Sequence, residues 1–173
     1  STRPPTRFFD KSARLEPAMA GTDRPRDADA DRPTVGLVGA GVMGSGMGRN
    51  LIAAGFPLVV LAHRERARVE ALVAAGAREA ADLPDLAREA RVLLLCLPTA
   101  EVAASVLGEA LPHLPDGALV IDTGTARPET ARAMEAACAA RGVPFVESPV
   151  AGGRQQAEAG ELGAMVGGEA AAF

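Results

Sequence analysis

Thr34-Val35-Gly36-Leu37-Val38-Gly39-Ala40-Gly41-Val42-Met43-Gly44-Ser45-Gly46-Met47-Gly48-Arg49-Asn50-Leu51 decides the fold. It reads as a short apolar strand, a glycine-rich turn and the start of a helix. Gly39, Gly41 and Gly44 have the G-x-G-x-x-G spacing that opens a dinucleotide-binding βαβ unit. In that unit Gly39 permits the tight turn out of the strand and Gly41 lets backbone approach a pyrophosphate. Gly44 lets helix and strand pack closely, and the helix N-terminus offers unpaired N–H groups and partial positive charge to phosphates. The spacing alone is weak in a glycine-rich chain. The strand before it and the apolar positions Met43, Met47 and Leu51 after it supply the context the motif requires.

Outward from that turn the pattern repeats. Apolar runs suited to buried parallel strands are Val35–Val38, Leu58–Ala62, Val92–Leu97 and Ala118–Ile121, with a weaker one at Ala77–Ala80 and later ones at Phe145–Glu147 and Leu162–Val166. Helices are expected at Met43–Ala54, Arg64–Ala75, Leu83–Arg88, Ala100–Leu111 and Pro128–Arg141. Gly55, Gly76 and Gly142 stand at helix stops, and Pro128 stands in a first turn. Glu169–Phe173 reads as the opening of a further helix. The expectation is an α/β fold, a Rossmann-type doubly wound, mostly parallel sheet. Residues 1–33, rich in Pro, Arg, Asp, Thr and Ala, are expected to be a disordered leader, with Met19 as a plausible natural start, and residues 34–173 to form the dinucleotide-binding domain.

Composition narrows the function. The 173 residues suffice for one domain, and with five Phe and neither Trp nor Tyr the core must be aliphatic. A net charge of −4 gives no support for nucleic-acid binding. Val92–Leu97 is too short to span a bilayer, and no segment has the plan of a secretory signal, so a cytoplasmic location is expected. Cys96, in an expected strand, and Cys138, on an expected helix, read as buried free thiols. Neither they nor His63 and His113 have metal-ligand spacing, so no metal is expected.

Several motifs stand in one order: Gly39-Ala40-Gly41-Val42-Met43-Gly44 with Met47 and Asn50-Leu51; Leu97-Pro98 after a strand; Asp122-Thr123-Gly124-Thr125 with Pro128; Ser148-Pro149-Val150-Ala151-Gly152-Gly153; Gly160-Glu161-Leu162; and Met165-Val166-Gly167-Gly168. As an ordered set, covering Thr34 to Phe173, they resemble the β-hydroxyacid dehydrogenase family, which includes 3-hydroxyisobutyrate dehydrogenase, tartronate semialdehyde reductase and 6-phosphogluconate-dehydrogenase-like relatives. The resemblance implies a nicotinamide cofactor, a small 3-hydroxy acid or its semialdehyde as substrate, and hydride transfer between them. It also implies an all-helical second domain that shapes the substrate cleft, supports oligomers and carries a general acid/base lysine. Lys11 is the only lysine here, so no catalytic residue is expected in this chain and little turnover is expected of it alone; a homo-oligomer is expected only with the helical domain.

Each candidate residue also has a plainer reading. Arg64, 20 residues after Gly44 at a strand end, is placed to pair a 2′-phosphate and favours NADP; the plain reading is a solvated arginine, and Glu65 turned inward would favour NAD. His63-Arg64 resembles the Asn-Arg pair of NADP-preferring relatives. Leu97-Pro98-Thr99 falls at a strand end where the resemblance puts the nicotinamide ribose, and Thr99 is equally a helix N-cap. Gly124 stands where the family has a substrate-holding serine; Thr125 remains for cofactor or substrate, or lies near a helix cap with Ala126. Ala151 replaces a second such serine, while Gly152 and Gly153 retain backbone N–H groups that suit a carboxylate. Two hydroxyls are thus missing, each worth roughly 1.5–3 kcal/mol toward a charged ligand. Arg154 reads better as solvated than as an anion ligand, and Asp122 as a turn stabiliser. Two other readings stay open: a non-catalytic nucleotide-binding module, and an imine-reductase-like enzyme on the same scaffold.

Overall fold

A computed structural model describes residues 32–62 and 66–168. Most of the expected leader, His63, Arg64, Glu65 and the expected helix start at Glu169–Phe173 lie outside the described residues.

Among the described residues, nine strands and six α-helices follow in order. They are β1 (Val35–Val38), α1 (Val42–Ala53), β2 (Leu58–Leu61), α2 (Arg66–Ala74), β3 (Arg78–Ala80), α3 (Leu83–Glu89), β4 (Val92–Leu95), α4 (Ala100–Ala110), β5 (Leu119–Asp122), α5 (Pro128–Ala139), β6 (Phe145–Glu147), β7 (Val150–Ala151), α6 (Arg154–Ala159), β8 (Gly163–Ala164) and β9 (Gly167–Gly168). Seven strands form one sheet in the order β3-β2-β1-β4-β5-β6-β9. The first six run parallel, with Val35 opposite Leu58 on one side and Val92 on the other; β9 alone is antiparallel, pairing Val146 with Gly168. This is the doubly wound sheet the sequence implies, and the strand order reverses between β1 and β4.

Alternation along each strand feeds two cores. Val35, Leu37, Leu58 and Val60 join Val69 and Leu72 of α2 on one face. Val38, Val59, Leu93, Leu95 and Val120 join Leu86 of α3, Leu107 of α4 and Met134 and Cys138 of α5 on the other. Leu37, Leu86, Leu93 and Leu95 are wholly shielded from solvent, and each such burial is worth about 1.5–3 kcal/mol. At Gly36 a Cβ would stand 2.7 Å from Leu86 Cδ2 and 2.8 Å from Ala90 Cβ, so the missing side chain lets α3 lie close on β1. The edge strand β3 is covered by charge: Arg78 bridges Asp85 and Glu89 of α3, and Arg66 bridges Glu79.

Two local expectations are corrected. Leu162–Val166 is not one strand. Gly163–Ala164 pairs with β7 in a separate two-stranded sheet, and Gly167–Gly168 pairs with β6, with Met165 and Val166 exposed between them. Strand β4 stops at Leu95, leaving Cys96 half-buried just past its end. Thr125 and Ala126 lie just before the N-cap of α5, as expected; the cap is Arg127, because Pro128 occupies the first helical position. The short helix α6 was not expected at all.

Candidate dinucleotide-binding cleft

The C-terminal ends of β1 and β4 flank the point where the strand order reverses, the place where open parallel sheets bind ligands, and those of β5 and β6 follow along the same edge. The glycine turn lies there. Gly39 has φ +103°, and a Cβ on it would fall 2.1 Å from the Cys96 carbonyl oxygen. Gly44 is as tightly closed: a Cβ there would meet the Gly39 carbonyl oxygen at 2.0 Å. The middle glycine differs. A Cβ on Gly41 would have nothing within 4 Å. Two glycines therefore serve the fold, and the third faces open space.

Gly41 is also the N-cap of α1. Its carbonyl takes the Ser45 N–H at 2.9 Å, and no side chain caps the helix. The first turn carries no acidic residue either, so neither a hydrogen bond nor a carboxylate of its own side chains answers the positive helix end. Val42 is exposed and Met43 half-buried beside it. A surface of this kind, open to backbone N–H groups and free of side-chain bulk, fits a diphosphate.

The loop after β4 borders the turn. A Cβ on Gly39 would lie 3.2 Å from Leu97 Cδ2, so Leu97-Pro98-Thr99 runs directly beside the glycines. Leu97 is half-buried, while Pro98 and Thr99 are exposed. Thr99 caps α4, its Oγ1 accepting the Val102 N–H at 3.3 Å. The plainer reading of Thr99 is therefore realised.

Beneath this loop lies a small buried polar group. Asp122, wholly buried at the end of β5, accepts the Gly124 N–H on Oδ1 at 3.1 Å, while Oδ2 has no partner. Burial pushes its carboxyl above the usual carboxylate range, and the Gly124 hydrogen bond pulls the other way. Burial likewise raises the Cys96 thiol, with Asp122 adding to the rise and Thr123 and the Gly44 N–H opposing it. Thr123 spends its hydroxyl on the Leu95 carbonyl at 2.8 Å. Asp122 is the turn stabiliser expected from sequence.

The two candidate substrate segments meet at this end of the sheet. The Ser148 N–H donates to the Asp122 carbonyl at 2.8 Å and the Val150 N–H to the Thr123 carbonyl at 3.4 Å, which holds Ser148–Gly153 beside Gly124 and Thr125. Thr125 and Ala151 are exposed. Gly152 has φ +134°, and a Cβ there would press on Leu162 Cδ2 at 2.9 Å. The Gly153 N–H already donates to Gln156 Oε1 at 3.0 Å, an engagement not foreseen from sequence. Arg154 is exposed at the start of α6, as its plainer reading has it.

At the strand end expected to choose the cofactor, the flanking residue Arg66 is held by Glu79 at 2.8 Å and Glu70 at 3.2 Å. Those carboxylates raise its pKa. Among the described residues no group of three or more His, Cys, Asp or Glu is placed to hold a metal, and no helix is long and apolar enough to cross a membrane.

The strand order, the glycine turn at the first βα junction and the open helix end together define a Rossmann-type dinucleotide-binding domain. Comparison with known proteins makes this specific. Residues 34–173 match the family model described as the NAD binding domain of 6-phosphogluconate dehydrogenase, and the chain belongs to that family. It is 38% identical over 142 residues to an NAD-dependent L-serine dehydrogenase of Pseudomonas aeruginosa, an alignment covering 80% of this chain and 47% of that protein. A 3-hydroxyisobutyrate dehydrogenase of Mycobacterium tuberculosis, solved with L-serine, superposes with TM-score 0.77 at 29% identity, over 82% of this chain and 48% of that one. Psf3, solved with NADP+ and 2-OPP, superposes with TM-score 0.71 at 36% identity, over 80% and 50%. The chain thus spans about half the length of the relatives it matches.

Proposed function

We propose that residues 34–173 are the cofactor-binding half of a hydroxyacid dehydrogenase or reductase that uses NADP and acts on a small 3-hydroxy acid or its semialdehyde. The observation that carries this reading is Gly41: open space over a helix end that no side chain caps, between two glycines closed by backbone. The bound nicotinamide would supply the hydride acceptor or donor. The chain's own residues bind and orient. The turn Gly39-Ala40-Gly41-Val42-Met43-Gly44 receives the diphosphate on backbone N–H groups. His63 and Arg64 take the 2′-phosphate, and Leu97-Pro98-Thr99, with Thr125, lines the nicotinamide ribose. Gly124, Thr125, Ala151, Gly152 and Gly153 face the substrate carboxylate. The Gln156 bond to the Gly153 N–H must open for that group to serve, which leaves the Gly152 N–H as the readier donor.

No described residue is assigned as general acid or base. Such groups contribute about 10²–10⁴-fold, so the 173-residue chain is expected to bind cofactor and turn over slowly. NAD is the second reading of the cofactor. It is favoured by Glu65 and by the name of the Pseudomonas relative, and by Arg66 being taken up by two carboxylates. Fluorescence titration with NADPH and NADH tests both. Arg64→Ala is expected to weaken NADPH while leaving NADH unchanged. An unaltered ratio removes Arg64 from the phosphate, and a folded chain indifferent to both nucleotides overturns the cofactor assignment.

A further inference from the structure

Asn50 lies on α1, more than a turn beyond the glycine motif, and its amide reaches across to α6. Nδ2 donates to the Gly46 carbonyl at 2.9 Å and to the Ala157 carbonyl at 2.8 Å, and lies 3.4 Å from the Glu158 carbonyl. The latter two belong to the last turn of α6, where carbonyls lose their helical partners. Gly46 completes the contact. A Cβ there would meet Ala157 backbone and Cβ atoms at 2.7–2.8 Å, so the two helices touch through backbone. Ala157 is the one buried residue of α6, and the helix closes on Gly160, at φ +73° beside the Asn50 amide. Six residues cannot sustain a helix in water, so α6 owes its order to this seat on α1.

The consequence concerns the loop before α6. Ser148–Gly153 is tied at its start to the end of β5 and at its finish, through α6, to α1. The helix that presents its N-terminus to the diphosphate is therefore the helix that fixes Gly152 and Gly153. We infer that Asn50 is a positioning residue that sets the carboxylate-facing glycines at a fixed place relative to the cofactor turn. The substrate half of this inference rests on the proposed function. Three carbonyls around one side chain demand a donor, so aspartate, equal in shape, would be repelled where asparagine is held.

Asn50→Asp and Gly46→Ala test this from opposite sides of the contact, on the whole chain. In the free protein, Asn50→Asp should speed amide exchange across residues 152–161 by roughly tenfold or more, while β1, β4 and β5 keep their protection. In the NADPH-loaded protein, both variants should lose roughly tenfold or more in affinity for 3-hydroxyisobutyrate, with the NADPH dissociation constant held within about threefold. Unchanged exchange in residues 152–161, or acid and cofactor affinities falling together, overturns the inference. Wild-type protein that takes up neither NADPH nor the acid overturns the functional reading instead, and the exchange comparison still decides the role of Asn50.

Discussion

Replacing Gly41 with alanine separates the binding role of the turn from its folding role. A Cβ at this position enters empty space, and φ is an ordinary −71°, so the folded backbone accepts it. Alanine is a poorer N-cap than glycine by about 0.5–1 kcal/mol. Stiffening the unfolded chain returns about 0.4–1 kcal/mol, so the net change in stability is expected to stay within about 1 kcal/mol. Binding is another matter. In the proposed binding mode the methyl would occupy the approach of a diphosphate, and losing one charge-assisted hydrogen bond costs about 1.5–3 kcal/mol, a weakening of roughly 10- to 150-fold. Gly44→Ala and Gly39→Ala are the contrast. Their Cβ atoms would fall 2.0 Å and 2.1 Å from carbonyl oxygens, and Gly39 adds a left-handed φ. Both should destabilise the fold by about 3 kcal/mol or more. Urea unfolding and NADPH fluorescence titration on the three variants check this. A Gly41→Ala protein that binds NADPH as wild type does, or that unfolds as readily as Gly44→Ala, refutes the reasoning.

Two further outcomes follow from buried groups. The Asp122 carboxyl titrates above its unfolded value of about 3.9, so the folded state holds this proton more tightly; its contribution to stability is whole below that value and is lost as pH rises through the raised folded one. Urea melts from about pH 4 to pH 7 should show wild type losing stability relative to Asp122→Asn over that span, and a difference flat with pH would contradict the burial argument. Burial pushes the Cys138 thiol up to about 11 and raises Cys96 as well, so a thiol reagent at neutral pH should label the native protein far more slowly than the unfolded one. Rapid native labelling of Cys138 would contradict its wholly buried position in α5.

The sequence carried the parallel sheet well because its signals are local and strong. Val92, Leu93, Leu94 and Leu95 are apolar without a break, as a strand covered on both faces must be, and the helix stops at Gly55, Gly76 and Gly142 all have positive φ. The parts that stayed illegible depend on distant partners. Arg154–Ala159 holds a single buried residue, too little to show a helical period; its order comes from Gly46 and Asn50 more than a hundred residues earlier. Leu162–Val166 looks like a strand by its apolar residues, yet only Gly163–Ala164 within it pairs, with β7, while Gly167–Gly168 just after it joins β6 in the other sheet, a matter of tertiary contacts. Asn50 was visible as part of the ordered motif set, but nothing near it in sequence hints at the carbonyls it meets.

The assignment of the glycine turn to a diphosphate is tested most directly by amide NMR of the isotopically labelled chain during NADPH addition. The largest shifts are expected at Gly41, Val42, Met43 and Gly44, saturating with a single dissociation constant. A folded protein whose turn amides stay still at saturating nucleotide, or whose shifts gather away from the ends of β1 and β4, would contradict the account.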